Sequence, residues 1–492
     1  MKNTTIPKEI TTVIETLEKS GYEAYLVGGC VRDIFLGRIP RDWDITTNAI
    51  PNEIIPLFPK TFYENCFGTV GVVNEDTEDE TLKIVEVTPY RLESEYSDSR
   101  HPDEVKFSKK IEDDLKRRDF TINAIAVSLS NGAIKDIVDL YSGFQDIKDR
   151  LIRTVGKPED RFNEDALRMM RAVRLATELD FKLEKETEMA IQSHISLLKN
   201  ISKERIRDEF VKIIMSKRPK IGIELLNEAN ILGFILPELI KAKGVDQNQA
   251  HAYDVWEHLL RTVQHSADKD WSLEIRLSAL FHDISKPETK NFSRETHKIT
   301  FYGHEVVGSR VTRKILERLK FPSRTIEIVS KFVRWHMFFS DTEQITLSAV
   351  RRMINNVGPE NIWDLMNIRI CDRIGTGRPK ENPYRLRKYK AMIEEALRNP
   401  ISVGMLKIDG KGIMNVTHET PGPKIGHILH ILLEEVLDNP KLNTSEYLDN
   451  KAIELAKLSE NELKIMGDEA RKKEDNIEEE NIKIIKKKHY VS

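Results

Sequence analysis

Two carboxylates one residue apart, Asp42 and Asp44 in Arg41-Asp-Trp-Asp-Ile45, follow closely on the stretch Tyr25-Leu-Val-Gly-Gly-Cys-Val-Arg-Asp33. Alternation along a strand puts both carboxylates on one side. Such charges repel unless divalent cations bridge them. A pair of magnesium ions held there suits in-line phosphoryl transfer, one lowering the pKa of an attacking hydroxyl and the other neutralising the departing pyrophosphate. Gly28 and Gly29 lack Cβ atoms, so their backbone can approach a triphosphate closely and offer its amides. Arg32 is well placed to help. Taken alone, an Asp-x-Asp pair on a strand edge is more often a solvated face.

With the Gly-Gly-x-x-Arg-Asp prefix, these residues resemble the nucleotidyltransferase superfamily, in the branch that holds the tRNA nucleotidyltransferases (the CCA-adding enzymes) and the bacterial poly(A) polymerases. The resemblance implies a polymerase-beta-like α/β head followed by an all-α neck, body and tail, with an HD-type helical domain among them. A second motif, Asp114-Leu-Lys-Arg-Arg-Asp-Phe-Thr-Ile-Asn-Ala124, looks like a helix start. Its Arg117 and Arg118 read as phosphate contacts or as salt-bridge partners of Asp119. In the family this motif faces the sugar and triphosphate, which implicates Arg118, Asp119 and Asn123. Glu86, on the next strand, is a candidate third carboxylate near the metals.

Glu164-Asp-Ala-Leu-Arg-Met-Met-Arg-Ala-Val-Arg174 reads as one helix, with Asp165, Arg168, Arg171 and Arg174 along one face and Leu167, Met170 and Val173 packed inward. One account is an i,i+3 salt bridge on a basic surface. In the other, a carboxylate accepts from the amino group of cytosine or adenine while a guanidinium donates to ring acceptors. Asp165 and Arg168 would then select CTP and ATP over GTP and UTP, with Arg171 and Arg174 nearby as further nucleotide-binding candidates. The spelling resembles the E-D-x-x-R nucleotide-selection motif of the bacterial-type (class II) CCA-adding enzymes. Phe67-Gly-Thr-Val and the polar loop from Arg91 to Val105 also resemble elements of enzymes that complete CCA, and poly(A) synthesis is the alternative reading. The resemblance implies the tRNA acceptor end as partner, gripped by shape and phosphate contacts.

His258, the adjacent pair His282-Asp283, His304, His336 and Asp372 resemble the ligand set of the HD phosphohydrolase superfamily. Imidazole and carboxylate donors suit Mn, Fe, Ni, Zn or Mg, and with Cys371 the one cysteine of the region there is no thiolate cluster to suggest a structural zinc site. Such a site would activate water against a phosphomonoester or 2′,3′-cyclic phosphate, with Lys286 as the family's phosphate contact. Hydrolysis as the main activity is a second alternative, and a histidine domain that only shapes the RNA-binding body is a third.

The elements that must position these groups follow from pattern. Ile10, Val13, Ile14 and Leu17 predict a helix over 8–20 ended by Gly21. Runs at 69–73, 83–88 and 124–128 predict strands. Beyond residue 158 the pattern is almost wholly helical, with Ser202 as an N-cap before a stripe of Ile206, Phe210, Ile213 and Ile214. The 492 residues predict two to four domains: a head at 1–150, a neck at 151–225, an HD-type domain at 226–385, a helical tail at 386–460 and a charged extension at 461–492. No apolar run reaches the roughly 18 residues that span a bilayer, and Met1–Lys8 carries no hydrophobic signal core, so a cytoplasmic protein with no membrane partner is expected. Cys30, Cys66 and Cys371 form no disulfide framework. A net charge of −3 leaves RNA binding to local basic surfaces, with Lys109-Lys110, Lys116–Arg118, Arg168–Arg174 and Lys203–Arg218 as candidates. The pattern specifies no oligomeric state.

Overall fold

The computed structural model describes residues 6–64, 68–93, 105–247, 252–293, 298–337 and 345–466. Phe67, Cys66, most of the 91–105 loop and the extension beyond 466 lie outside them. The chain forms two compact units that divide between Pro237 and Glu238.

In the first unit, helix Lys8–Lys19 buries Ile10, Val13, Ile14 and Leu17, as the spacing predicts, and the chain leaves it through Gly21 at φ +88°. Among the described residues nine strands follow up to Asp139: β1 Ala24–Val27, β2 Asp44–Thr47, β3 Thr61–Glu64, β4 Thr69–Val73, β5 Ile84–Pro89, β6 Arg91–Glu93, β7 Val105–Phe107, β8 Ile125–Ser130 and β9 Ala133–Asp139, with a two-residue parallel pair, Leu151–Ile152 and Lys182–Leu183, beyond them. Seven of them form one mixed sheet in the order β3-β4-β5-β2-β1-β8-β9, while β6 and β7 pair separately. β1 runs antiparallel to both β2 and β8, and β2 runs parallel to β5. Leu26 lies opposite Ile45 and Val27 opposite Ala126, so the end of β1 and the starts of β2 and β8 share one edge of the sheet. Buried Leu26, Ile45, Val85, Val87 and Val127 fix that register, because a slip of one residue would turn every side chain to the wrong face.

Past the sheet the unit is nearly all helical. Ser202 caps helix Lys203–Met215, accepting from the Arg205 amide, and Ile206, Phe210, Ile213 and Ile214 are buried beneath it. Two predicted helices are corrected. Asp114–Ala124 is a helix end rather than a start, since helix Ile111–Lys116 stops there and a single 3₁₀ turn, Thr121–Asn123, leads into β8. The 164–174 segment is not one helix either. Helix Pro158–Glu164 ends, Asp165 is extended (φ −143°, ψ 104°), and helix Leu167–Leu179 begins anew with the Asp165 carboxylate accepting from the Leu167 amide at 3.0 Å. Aspartate competes with helical backbone bonding through its own side chain, and periodicity alone does not register that.

The second unit is a helical assembly with one short hairpin, Asn291–Ser293 against Lys298–Thr300. One core joins Phe332, Ile354, Leu365 and Tyr389. A second, beginning at Leu406, joins Ile413, Ile428, Leu432 and Leu448. No helix among the described residues is long and apolar enough to cross a membrane.

Candidate active site and candidate metal centre

The head's candidate residues gather at the shared edge of the sheet. Gly28 follows β1 at φ +83°, ψ −139° and starts helix Gly29–Phe35. A Cβ on Gly28 would lie 3.0 Å from Asp44 Oδ2 and 3.2 Å from Arg118 Nη1. The bare turn is thus what lets a carboxylate and a guanidinium meet over the backbone. Asp44 opens β2, whereas Asp42 precedes the strand in an exposed bend. Only Asp44 belongs to the ladder, which corrects the expectation that both do. Trp43 between them is buried, consistent with the two carboxylates sharing a face. Glu86 is the register partner of Asp44 on β5, which puts a third carboxylate on that face. Burial raises the Asp44 carboxyl pKa and Asp42 adds to the rise, with Arg118 acting against it. Carboxylate oxygens are donors of the kind that suits a hard dication, although among the described residues the groups whose ligand atoms lie within 4.8 Å of one another are both in the second unit.

Behind this edge runs a chain of charge-assisted bonds. Arg32 donates to Asn123 Oδ1 at 2.9 Å, and Asn123 Nδ2 donates to Asp119 Oδ1 at 3.2 Å. Arg171 donates through Nε and Nη2 to Asp119 Oδ2 at 2.9 and 2.6 Å. Burial works to raise the Asp119 carboxyl, but Arg171 holds it well below the usual range. Arg117 and Arg118 both pair with Asp114, whose side chain is fully buried, rather than with Asp119. Burial opposes the ionisation of Asp114 and the two guanidinium groups overcome it, leaving its carboxyl lowered.

The neck residues are placed less simply. Arg168 is buried and donates to Glu164, to the Arg161 carbonyl at 3.3 Å and to the Arg117 carbonyl at 3.2 Å. Asp165 pairs with Arg205 at 2.7 Å, not with Arg168. Arg174 binds Glu209 at 2.6 Å and Glu178 at 2.9 Å. Arg205, Lys212 and Arg218 of the predicted basic surface have carboxylate partners too, so much of that cluster is internally neutralised. Sequence reasoning missed Asp114, Glu209 and the special place of Arg205. Asp114 had a signal, since it lies three and four residues before two arginines. The other two needed the packing of helix Lys203–Met215 against helix Leu167–Leu179.

In the second unit, His258, His282, Asp283, His304, His336 and Asp372 all converge. His258, His282 and Asp372 offer one set of ligand atoms within 4.8 Å of one another, and Asp283, His304 and His336 another. His258 Nε2 and His282 Nε2 lie 2.9 Å apart. Asp283 reaches His258 and His282 at 3.2 Å with one oxygen and His304 at 3.1 Å with the other. Nδ1 of His282, His304 and His336 sits 2.9, 2.7 and 2.7 Å from the carbonyls of Ala279, Phe301 and Val333. That backbone support fixes the tautomer and leaves Nε2 as the ligand atom. Burial opposes a charged His282, yet Asp283 pushes its pKa up to about 10, and burial pulls His336 down to about 4. Among the described residues, Nε2 of His304 and of His336 is buried and makes no well-directed hydrogen bond, with Asp283 Oδ1 lying 3.1 and 3.6 Å away. Ring nitrogens aimed at carboxylates fit a divalent metal. Lys286 bonds Asp283 at 2.6 Å and Gln247 at 2.6 Å. Gly375, which sequence reasoning did not single out, lets helix Ile362–Gly375 approach helix Val255–Asp268, because its Cβ would fall 2.1 Å from Thr262 Oγ1.

Comparison with known families matches residues 24–153 to the poly A polymerase head domain, 180–243 to a probable RNA and SrmB-binding site of polymerase A, and 255–373 to the HD domain. A CCA-adding enzyme of Enterococcus faecalis is 33% identical over 455 residues, covering 91% of this chain and 97% of that protein. The chain belongs to the CCA-adding enzyme family. A CCA-adding enzyme of Lactobacillus helveticus is 51% identical over 202 residues, and there the chain spans only about half the relative's length, 48%, and 41% of its own. The Bacillus stearothermophilus CCA-adding enzyme, solved in complex with CTP, superposes with a TM-score of 0.67 at 28% identity over 91% of this chain and 98% of that one. The mixed-sheet head followed by helices is therefore the CCA-adding enzyme fold, as the head motifs imply, and the family is one that uses a divalent metal.

Proposed function

We propose that this chain rebuilds the 3′-terminal CCA of tRNA from CTP and ATP without a nucleic-acid template, by in-line phosphoryl transfer that releases pyrophosphate. The observation that carries the reading is the convergence of Asp44, the Gly28 turn and Arg118 on one sheet edge, in a chain that aligns over 91% of its length with a CCA-adding enzyme. The names of the relatives favour it over poly(A) synthesis.

In this reading Asp42 and Asp44 hold magnesium, with Glu86 beside them. Magnesium, when bound, lowers the pKa of the RNA's 3′ hydroxyl and offsets charge on the departing pyrophosphate. Gly28 and Gly29 offer backbone amides to the triphosphate, and Arg32 and Arg118 donate to it. Asp119 and Asn123 orient the sugar. Asp165 and Arg168 face the base, while Arg171 and Arg174 hold the surrounding carboxylates in register. The head at 1–150 does the chemistry, the neck at 151–225 reads the nucleotide, and the helices of 226–460 grip the acceptor end of tRNA in the cytoplasm. Asp42→Ala is expected to abolish incorporation of labelled CTP while leaving tRNA binding nearly intact, and full-rate addition by that variant would refute the metal assignment.

A second activity is favoured by the four imidazole Nε2 atoms and two carboxylates gathered in the second unit. His258, His282, Asp283, His304, His336 and Asp372 would hold Mn, Ni, Fe or Mg, and the site would hydrolyse a phosphomonoester or a 2′,3′-cyclic phosphate at a damaged RNA end.

A further inference from the structure

Lys286 is nearly buried beside the histidine cluster, and its ammonium lies 2.6 Å from Asp283 Oδ2 and 2.6 Å from Gln247 Oε1. The same Gln247 carboxamide donates through Nε2 to the Tyr253 carbonyl at 3.2 Å. Only one orientation of the group satisfies an ammonium and a carbonyl together, so its oxygen faces Lys286. The backbone that carries Gln247 is closed at its base. Asp254 Oδ2 accepts from the Gly244 amide at 2.8 Å, and the Val255 amide donates to the Val245 carbonyl at 3.0 Å. An ammonium has three donors. Among the described residues Asp283 and Gln247 take two of them and the third meets no oxygen or nitrogen acceptor, while the Phe301 ring has its centroid 5.5 Å from Nζ. A buried charged donor left uncommitted is costly, so an anionic oxygen on a bound molecule is its natural complement.

Building on the hydrolytic reading of the second unit, we propose that Gln247 is a positioning residue of that site, a neutral tether that holds the Lys286 ammonium ready for the oxygens of a phosphate group. Ordering a lysine side chain costs entropy, and with Gln247 in place that cost falls on folding rather than on binding. Charge is the second contribution. Asp283 already opposes the ammonium with one carboxylate, and a second in place of Gln247 would leave the group net negative toward a phosphate. An amide oxygen accepts the same hydrogen bond and adds no charge. Gln247 also shares the ammonium, so Asp283 Oδ2, which lies 3.2 Å from Nε2 of both His258 and His282, is not its sole acceptor.

The test titrates inorganic phosphate into wild type, Gln247→Met, Gln247→Glu and Lys286→Met by calorimetry, with and without manganese, and checks each protein by thermal unfolding. The head also carries groups that suit phosphate, so the share belonging to this site is the binding that Lys286→Met loses. Gln247→Met keeps the length of the side chain but not its bonds, and is expected to weaken that share about twofold to tenfold. Gln247→Glu can still hold Lys286, yet its charge opposes the ligand, and it is expected to weaken the share about tenfold to hundredfold. Affinity equal to wild type in either variant, with Lys286→Met still weak, would reduce Gln247 to support of its own loop and overturn the proposal. Binding that Lys286→Met leaves untouched, with wild type still releasing phosphate from 3′-AMP, would overturn the roles of Lys286 and Gln247 alone. The same untouched binding with no phosphate released would overturn the hydrolytic reading itself, and this assignment with it.

Discussion

Replacing Gly28 by alanine separates backbone strain from damage to the site. Its φ of +83° and ψ of −139° lie in a region essentially open to glycine alone, and a side chain there costs about 1–3 kcal/mol. A protein unit of this size loses roughly 2–4 °C in Tm per kcal/mol, so a fall of about 2–12 °C is expected. The new Cβ would also press on Asp44 Oδ2 at 3.0 Å and Arg118 Nη1 at 3.2 Å. Arg118 cannot easily yield, because Nε and Nη2 are held by the buried Asp114 at 3.3 and 3.0 Å. The displacement therefore falls on Asp44, and misplacing a reacting group by up to 1 Å costs about 100-fold in rate. Gly21→Ala is the control: it has φ +88° but nothing within 4 Å of its Cβ, so it should lower Tm and leave the rate alone. The assay is single-turnover incorporation of labelled CTP beside thermal unfolding of both variants. Equal rate losses in the two variants, or a Gly28→Ala protein at full rate, would refute the reasoning.

Glu209 tests the buried network of the neck by pH. Burial raises its carboxyl pKa, but Arg174, with Arg171 and Lys212, holds it below the ordinary value, so its stabilisation is fully present above the unfolded value of about 4.3 and is lost as pH falls through the folded one. Glu209→Gln should cost about 1–3 kcal/mol near neutrality, with the gap to wild type closing below about pH 4 in urea melts; a gap independent of pH would contradict the ion-pair account. His282→Ala should lose divalent-metal binding in the second unit, measured by metal content after dialysis against Mn, while CTP and ATP addition continues. Loss of addition with metal retained would reverse the division of labour.

Much of the head was legible because it rests on local rules. The spacing of Ile10, Val13, Ile14 and Leu17 gave its helix, and the order strand, double glycine, helix placed Gly28 at the edge where Asp44 arrives. The six histidine-site residues were legible as a set, since their types share one chemistry. What failed was the break at Asp165, where an aspartate side chain bonded to the Leu167 amide two residues on defeats helical periodicity. The partners of the arginines failed too. Arg171 finds Asp119 and Arg205 finds Asp165 across 52 and 40 residues, and no pattern along the chain encodes such distances. For that reason a surface read as basic proved largely self-neutralised.

The most direct test of the central claim incubates the purified protein and magnesium with tRNA lacking its last three nucleotides, supplying CTP alone, ATP alone, both, or GTP with UTP. The account predicts products longer by two with CTP and by three with both, and none with GTP and UTP. An unbounded ladder with ATP alone, or no extension under any condition, would contradict it.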